Sequence, residues 1–278
     1  MSVCYLNGKF LNLKDAKISP LDRGFLFGDS IYEVFAAYDK KAFKIEEHLD
    51  RFFVNLKEIK LTSNISRQEL KNIIELVIQK NELSNQIIYL QISRGYEAIR
   101  NHIPNIKSES TVFICSFPLN DLPNQNSNKV KISLREDFRW RKSNVKSTSL
   151  LANVLYKIQA NEENFDEIVL YDNGFITEGS VSNVFCVKDK KVITPSLQNN
   201  ILPGVTRSVI IDIVKKLKIP ISESRMSVED LKIADEIWIT NTTKGILLVS
   251  EIDQNKVTSV GEIFKKLQEK FIQETLAL

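Results

Sequence analysis

IVLYDNGFITEGSVSNVF, residues 168–185, decides how the second half of this chain is built. Two apolar runs flank Asn173-Gly174, a pair that tolerates the positive φ angles of a tight two-residue turn, so the pattern reads as a β-hairpin. Strands are expected over 167–171 and 181–188, which leaves Glu178 four residues past the turn and next to a strand. On the N-terminal side a strand over 130–134 and a helix over about 150–164 precede the hairpin. On the C-terminal side Pro203 stands where the first turn of a helix tolerates proline, ahead of Val209, Ile210, Ile213, Val214 and Leu217 at helical spacing. A last helix is expected over roughly 260–275.

The first half reads as mixed sheet and helix. Asn7-Gly8 marks a second hairpin, and IYEVFAAYD with KKAFKIE a pair of strands. Ser66-x-x-Glu69 has the form of a capping box opening an amphipathic helix over 70–83, and strands follow near 87–93 and 111–117. The segment PLNDLPNQNSN, 118–128, has no apolar periodicity and is the best candidate for a linker. The economical architecture is two α+β domains, 1–118 and 129–278, joined by a linker at 119–128.

Composition narrows the function. The 278 residues suffice for a sizeable core, and 38 basic against 35 acidic side chains leave a net charge of +3 with no basic stripe of the kind nucleic-acid binders carry. Cys4, Cys115 and Cys186 are odd in number and far apart, and His48 and His102 are too few and too distant for a metal cluster, so neither a disulfide scaffold nor a metal site is expected. No signal-peptide pattern opens the chain and no apolar run is long enough to span a bilayer, which points to a cytoplasmic protein without a membrane partner. There is no Gly-x-Gly, hence neither a Rossmann fingerprint nor a Walker A loop.

The chemistry lies in a few residues. A lysine amine condenses with an aldehyde, and a carboxylate beside a pyridine nitrogen favours the protonated ring, so Lys146 and Glu178 together suggest pyridoxal phosphate. Lys146 closes the stretch RWRKSNVKST, read as extended, just before the helix at 150–164, where an element terminus can present a side chain. LPGVTR, 202–207, puts Gly204, Val205 and Thr206 at a helix start whose backbone N–H groups, with the Thr206 hydroxyl, suit a phosphate. Arg51 adds a permanent positive charge, whereas His48, one helical turn earlier, is read as structural and Tyr156 as ordinary helix. Arg100 offers a planar fork for a carboxylate, and in extended chain His102 would face the same side, with Tyr32 supplying a hydroxyl.

Seven ordered blocks extend this reading: DRGFLFGDSIYEV (22–34), EEHLDR (46–51), ISRGYEAIRNH (92–102), KSTSLLANVLYKIQA (146–160), TEGSVSNVF (177–185), LPGVTR and ITNTTKGI (239–246). In order and spacing the chain resembles the class IV aminotransferases, the fold type IV pyridoxal phosphate enzymes. That group includes D-amino acid transaminases, branched-chain transaminases and 4-amino-4-deoxychorismate lyases. The resemblance implies a smaller N-terminal α/β domain, a larger barrel-like C-terminal cofactor-binding domain, and pyridoxal 5′-phosphate in an interdomain cleft. It assigns Lys146 to the cofactor's aldehyde and Glu178 to its ring nitrogen. Leu202 is assigned to the ring face, and Arg51, Val205, Thr206, Asn241 and Thr242 to the phosphate side. Tyr32, Arg100 and His102 resemble the carboxylate trap of D-amino acid transaminases, whose arginine and histidine come from the neighbouring subunit of a homodimer. The expected activity is transfer of an amino group from a D-amino acid to a 2-oxo acid. A lyase, a branched-chain transaminase and a non-catalytic cofactor-binding protein are the alternatives. Val34, Tyr89 and Trp140 are candidate pocket walls by position alone.

Overall fold

The computed structural model describes residues 2–105, 108–120, 129–197, 201–257 and 261–277. Its contacts divide the chain into two compact units, one of Met1–Asn120 with Val145–Ser149, the other of Asp121–Asn144 with Leu150–Ala277. Of the expected linker, 121–128 lies outside the described residues.

The first unit is an antiparallel sheet with helices packed on it. Its strands are β1 (Val3–Leu6), β2 (Lys9–Asn12), β3 (Ser30–Tyr38), β4 (Lys41–Ala42), β5 (Gln86–Ser93) and β6 (Thr111–Pro118), in the order β2-β1-β6-β5-β3-β4. The β1–β2 turn places Asn7 at φ 45° and Gly8 at φ 87°, the conformation the Asn-Gly pair predicts. Helices α1 (Arg23–Phe27), α2 (Ile45–Glu58) and α3 (Arg67–Lys80) follow. Leu49, Phe52 and Leu56 of α2 and Leu70, Ile74 and Val77 of α3 recur at helical spacing and share a core with Ile31, Phe35, Ile88 and Leu90 of the sheet. The expected strand over KKAFKIE stops after Ala42. Lys44 turns into the left-handed region at φ 55°, and Ile45 already belongs to α2. At α3 only half of the expected capping box forms: the Ser66 hydroxyl accepts from the Glu69 N–H.

The second unit is built on a mixed nine-stranded sheet. β7 (Val130–Glu136), α4 (Leu151–Glu162) and β8 (Glu167–Asp172) form a parallel βαβ unit. β9 (Phe175–Gly179), β10 (Asn183–Lys188), β11 (Lys191–Thr194), α5 (Val205–Lys216), β12 (Ile221–Glu223) and α6 (Val228–Lys232) come next, then β13 (Glu236–Asn241), β14 (Gly245–Ile252), β15 (Asn255–Lys256) and α7 (Glu262–Leu276). The strand order is β12-β11-β10-β13-β14-β7-β8-β9, with β15 on β14. β9 at one edge passes through Ser180–Ser182 alone into β10, near the opposite edge, so the sheet must curl on itself as a barrel-like fold requires. Pro203 precedes the cap of α5 instead of opening its first turn, because Gly204 takes the N-cap position. Among the described residues no helix is long and apolar enough to cross a membrane.

Gly95, two residues past the end of β5, has a backbone that only glycine adopts cheaply. Its φ is +94°, and a Cβ there would lie 1.8 Å from the Glu109 carbonyl oxygen. Gly95→Ala is therefore expected to destabilise the protein by about 3 kcal/mol or more. Chemical denaturation checks this, and a loss under about 1 kcal/mol would mean that the 95–109 approach is not the constraint it looks to be.

Candidate active site

In the first unit, a polar stripe on α2 holds the segment that carries Lys146. His48, Arg51 and Asn55 lie one turn apart on a buried face of the helix. Asn55 Oδ1 accepts the Lys146 N–H at 2.5 Å, and the Lys146 carbonyl accepts the Tyr32 N–H at 3.1 Å. Ser147 then bridges Ile31 of β3. The backbone at Lys146 is thus fixed on both sides, and its half-buried side chain carries Nζ to 4.2 Å from the centre of the Tyr32 ring. The approach differs from the extended run read in the sequence, since residues 141–144 form a turn.

Glu33, pointing from β3, organises the stripe. Arg51 donates to both its carboxylate oxygens, Nε to Oε1 at 2.7 Å and Nη2 to Oε2 at 2.8 Å, and His48 donates from Nδ1 to Oε2 at 2.8 Å. Burial by itself would raise the Glu33 carboxyl, but the Arg51 charge and the hydrogen bonds outweigh it and hold the group at about 2. Burial pushes the His48 imidazole below its ordinary value, and the Arg51 and Lys146 cations reinforce this against the pull of Glu33. His48 is thus spent on the buried Glu33, while Arg51 shares its charge with the same carboxylate inside the protein.

Arg100 and His102 both pack on Phe27, though not through an extended chain. Residues 98–99 and 102–103 are bends, yet the Arg100 guanidinium lies 4.7 Å from the Phe27 ring centre and the His102 ring 5.3 Å from it. Both side chains belong to exposed residues. Tyr32 stacks on Tyr89 at 5.8 Å.

In the second unit Glu178 is 4% exposed at the end of β9. Arg139 donates to its Oε1 at 2.6 Å, and the Leu202 N–H and Asn183 Nδ2 donate to its Oε2 at 3.0 and 3.2 Å. Arg139 is also held by Asp137 through Nε and Nη2, at 3.0 and 2.8 Å. Burial raises the Glu178 carboxyl to about 7 because Arg139, shared with Asp137, offsets only part of the cost. A group poised there can share a proton with a pyridine nitrogen. Asn183 also donates to the Leu202 carbonyl at 3.0 Å, and its Oδ1 sits so close to Gly204 that a Cβ would be 2.0 Å away. The N-cap Gly204 contributes no side chain, so the first-turn N–H groups of α5, with buried Val205 and Thr206, form an anion-binding end. Thr240 pairs with Asn183 across the sheet, and its buried hydroxyl has no hydrogen-bond partner among the described residues. Asn241 accepts from the Lys244 N–H at 2.8 Å and so shapes the turn that contains Thr242. A buried acid near neutrality, a helix end suited to phosphate and an orphaned hydroxyl fit pyridoxal phosphate.

Sequence reading missed Glu33, Asn55 and Arg139. Asn55 had a signal, since it continues the 48–51 spacing, but Arg139 lies in a run of basic residues where no pattern sets it apart. Tyr156, left unassigned, proves to be buried: its hydroxyl donates to the Glu136 carbonyl at 2.6 Å and accepts the Phe138 N–H at 2.9 Å.

Because the folded-state value of Glu178 lies above its ordinary 4.5, its stability contribution is complete below pH 4.5 and is lost as pH rises through about 7. Cofactor-free protein should lose on the order of 3 kcal/mol across this window relative to Glu178→Gln, whatever constant offset the glutamine introduces. Parallel stability–pH curves for the two proteins, measured by urea unfolding, would refute the assignment.

Comparison with known proteins agrees with this chemistry. A D-alanine aminotransferase from Staphylococcus epidermidis is 38% identical over 282 residues, covering 98% of this chain and 99% of the relative. A putative branched-chain-amino-acid aminotransferase from Methanocaldococcus jannaschii is 36% identical over 272 residues, covering 96% and 94%. Among solved structures, the branched-chain amino acid aminotransferase of Escherichia coli aligns with a TM-score of 0.90 at 26% identity, over 98% of this chain and 93% of that one. The family model described as amino-transferase class IV matches residues 30–252, and the chain belongs to the class IV aminotransferases.

Proposed function

We propose that the enzyme transfers an amino group from a D-amino acid to a 2-oxo acid such as pyruvate or 2-oxoglutarate, with pyridoxal 5′-phosphate as cofactor. The observation that carries the donor class is the packing of both Arg100 and His102 on the Phe27 ring. A planar guanidinium beside an imidazole grips a carboxylate at several points, and Tyr32 adds a hydroxyl. The 38% identity to a D-alanine aminotransferase supports the same donor class.

The cofactor, when bound, supplies an aldehyde that condenses with amines and a ring that withdraws electrons. Lys146 Nζ would hold the aldehyde and, as a free amine, would carry the proton taken from the donor's α carbon. Glu178 would hold a proton toward the ring nitrogen, with Arg139, shared with Asp137, tuning its charge. Arg51, the N–H groups of Val205 and Thr206, the Thr206 hydroxyl, Asn241 and Thr242 would hold the phosphate, and Leu202 would face the ring. A carboxylate fixed on one side decides which α hydrogen faces Lys146, so stereochemistry follows from the trap. The buried free thiols of Cys4, Cys115 and Cys186 suit a cytoplasmic compartment.

A branched-chain donor is the second reading, favoured by the similarity to the E. coli and M. jannaschii enzymes. A donor panel separates the two. D-alanine with 2-oxoglutarate should give pyruvate at least about tenfold faster than L-alanine or L-leucine gives its own oxo acid. Faster turnover of L-leucine would assign the branched-chain activity, and pyruvate from 4-amino-4-deoxychorismate without an amino acceptor would assign a lyase.

Arg100 and His102 serve the site of a second copy in a two-fold homodimer. Ile99 and Ile103, 79% and 78% exposed beside them, support this, because an interface would cover them. Unfolding and refolding a mixture of Lys146→Ala and Arg100→Ala proteins should restore about a quarter of wild-type activity, since half the mixed dimers' sites would be intact. No recovery in a mixture that does form mixed dimers would place the arginine in its own subunit's site.

A further inference from the structure

Arg23 is 4% exposed, and its guanidinium is spent on the loop that carries the two trap residues. Nη1 donates to the Asn101 carbonyl at 2.5 Å and to Glu97 Oε2 at 3.1 Å, and Nη2 donates to the His102 carbonyl at 3.1 Å. Its Nε donates to Asp29 Oδ2 at 2.9 Å, and Asp29 is gripped in turn by Arg94 through Nε at 2.8 Å and Nη2 at 3.0 Å. Glu97 extends the hold, accepting the Asn105 N–H at 2.6 Å and the Ser108 hydroxyl at 3.2 Å. The Arg23 guanidinium also lies 4.8 Å from the centre of the Phe27 ring, the ring that Arg100 and His102 contact.

An arginine needed only to stabilise α1 would bond within its own neighbourhood. This one reaches some 80 residues along the chain to the carbonyls immediately after Arg100. The loop from Glu97 to Asn105 contains no helix or strand, so its shape depends on such anchors. Buried charged hydrogen bonds to two successive carbonyls fix the backbone from which Arg100 and His102 project, and a trap fixed before the substrate arrives loses less entropy on binding.

We propose that Arg23 is a positioning residue for donor specificity, holding the 97–105 loop so that Arg100 and His102 present a preformed carboxylate site. This rests on the reading of those two residues as the carboxylate trap. Lysine in its place keeps the charge but cannot fork to both carbonyls and Glu97 at once.

The test uses holoenzyme with D-alanine as donor and propionate as a competitive carboxylate probe. Arg23→Lys should raise the D-alanine KM and the propionate inhibition constant about tenfold, with kcat within about threefold and cofactor absorbance unchanged. On an Arg100→Ala background it should add almost nothing, because both changes remove the same interaction. If Arg100→Ala weakens propionate but Arg23→Lys does not, the positioning role is overturned while the trap stands. If Arg100→Ala itself leaves propionate affinity unchanged, the trap reading fails and takes the proposal with it. A fall in kcat and cofactor occupancy in step with KM would show a general structural defect and also overturn it. Should Arg23→Lys not fold, Glu97→Gln weakens the same anchor from its other end. It is then expected to raise the propionate constant about threefold, and no change would count against the proposal.

Discussion

The hydrogen bond between the Lys146 backbone N–H and Asn55 Oδ1 is the constraint on which the amine's position depends. Asn55 is itself locked, its amide donating to the Arg51 carbonyl one turn earlier at 2.7 Å. Arg51 and His48 are locked by Glu33, so a carboxylate on a β-strand fixes the helix stripe and the stripe fixes the lysine. A buried carboxylate is costly unless paired and fully hydrogen-bonded. Here that condition is met by residues that also place the amine, which makes removal of any one of them felt at Lys146.

The second unit solves a different electrostatic problem. Arg139 serves two carboxylates, and the geometry divides it unevenly: Asp137 takes two of its nitrogens and Glu178 one. Asp137 is held below the usual carboxylate range despite its burial, chiefly through hydrogen bonds from Arg139, whereas Glu178 stays near neutrality. The uneven sharing leaves the burial of Glu178 only partly offset, so the two carboxyls move in opposite directions.

What could be read in the sequence was whatever local chemistry dictates alone. Asn7-Gly8 and Asn173-Gly174 turn with positive φ at both residues, a conformation that asparagine and glycine adopt readily. The stretch KKAFKIE is short enough to fit alternation or helical spacing equally, and the left-handed Lys44 that resolves the ambiguity has no side-chain signature. The family pattern picked out Lys146 and Glu178 but not Asn55, Glu33 or Arg139, whose roles arise from pairings between segments distant in sequence. Arg100 and His102 were paired on the assumption of an extended chain. Both pack on Phe27 instead, a contact across more than 70 residues that no periodicity encodes.

Phe27 belongs to α1, a helix of five residues that does more than its length suggests. Asp22 caps it by accepting the Gly24 N–H at 2.8 Å, and also accepts the Ser93 and Thr111 hydroxyls at 2.7 and 2.6 Å, which ties the helix to β5 and β6. Gly28 ends it at φ 64°, where a Cβ would lie 2.6 Å from Ser149 Oγ, three residues beyond the lysine. One short helix thus touches the 97–105 loop through Arg23 and Phe27 at one point and, at its Gly28 cap, the lysine segment at another. A side chain at position 28 would push on the segment carrying Lys146 while leaving the loop contacts in place. The segment carrying Lys146 and the 97–105 loop are therefore both braced by one short element whose two ends are fixed by the fold.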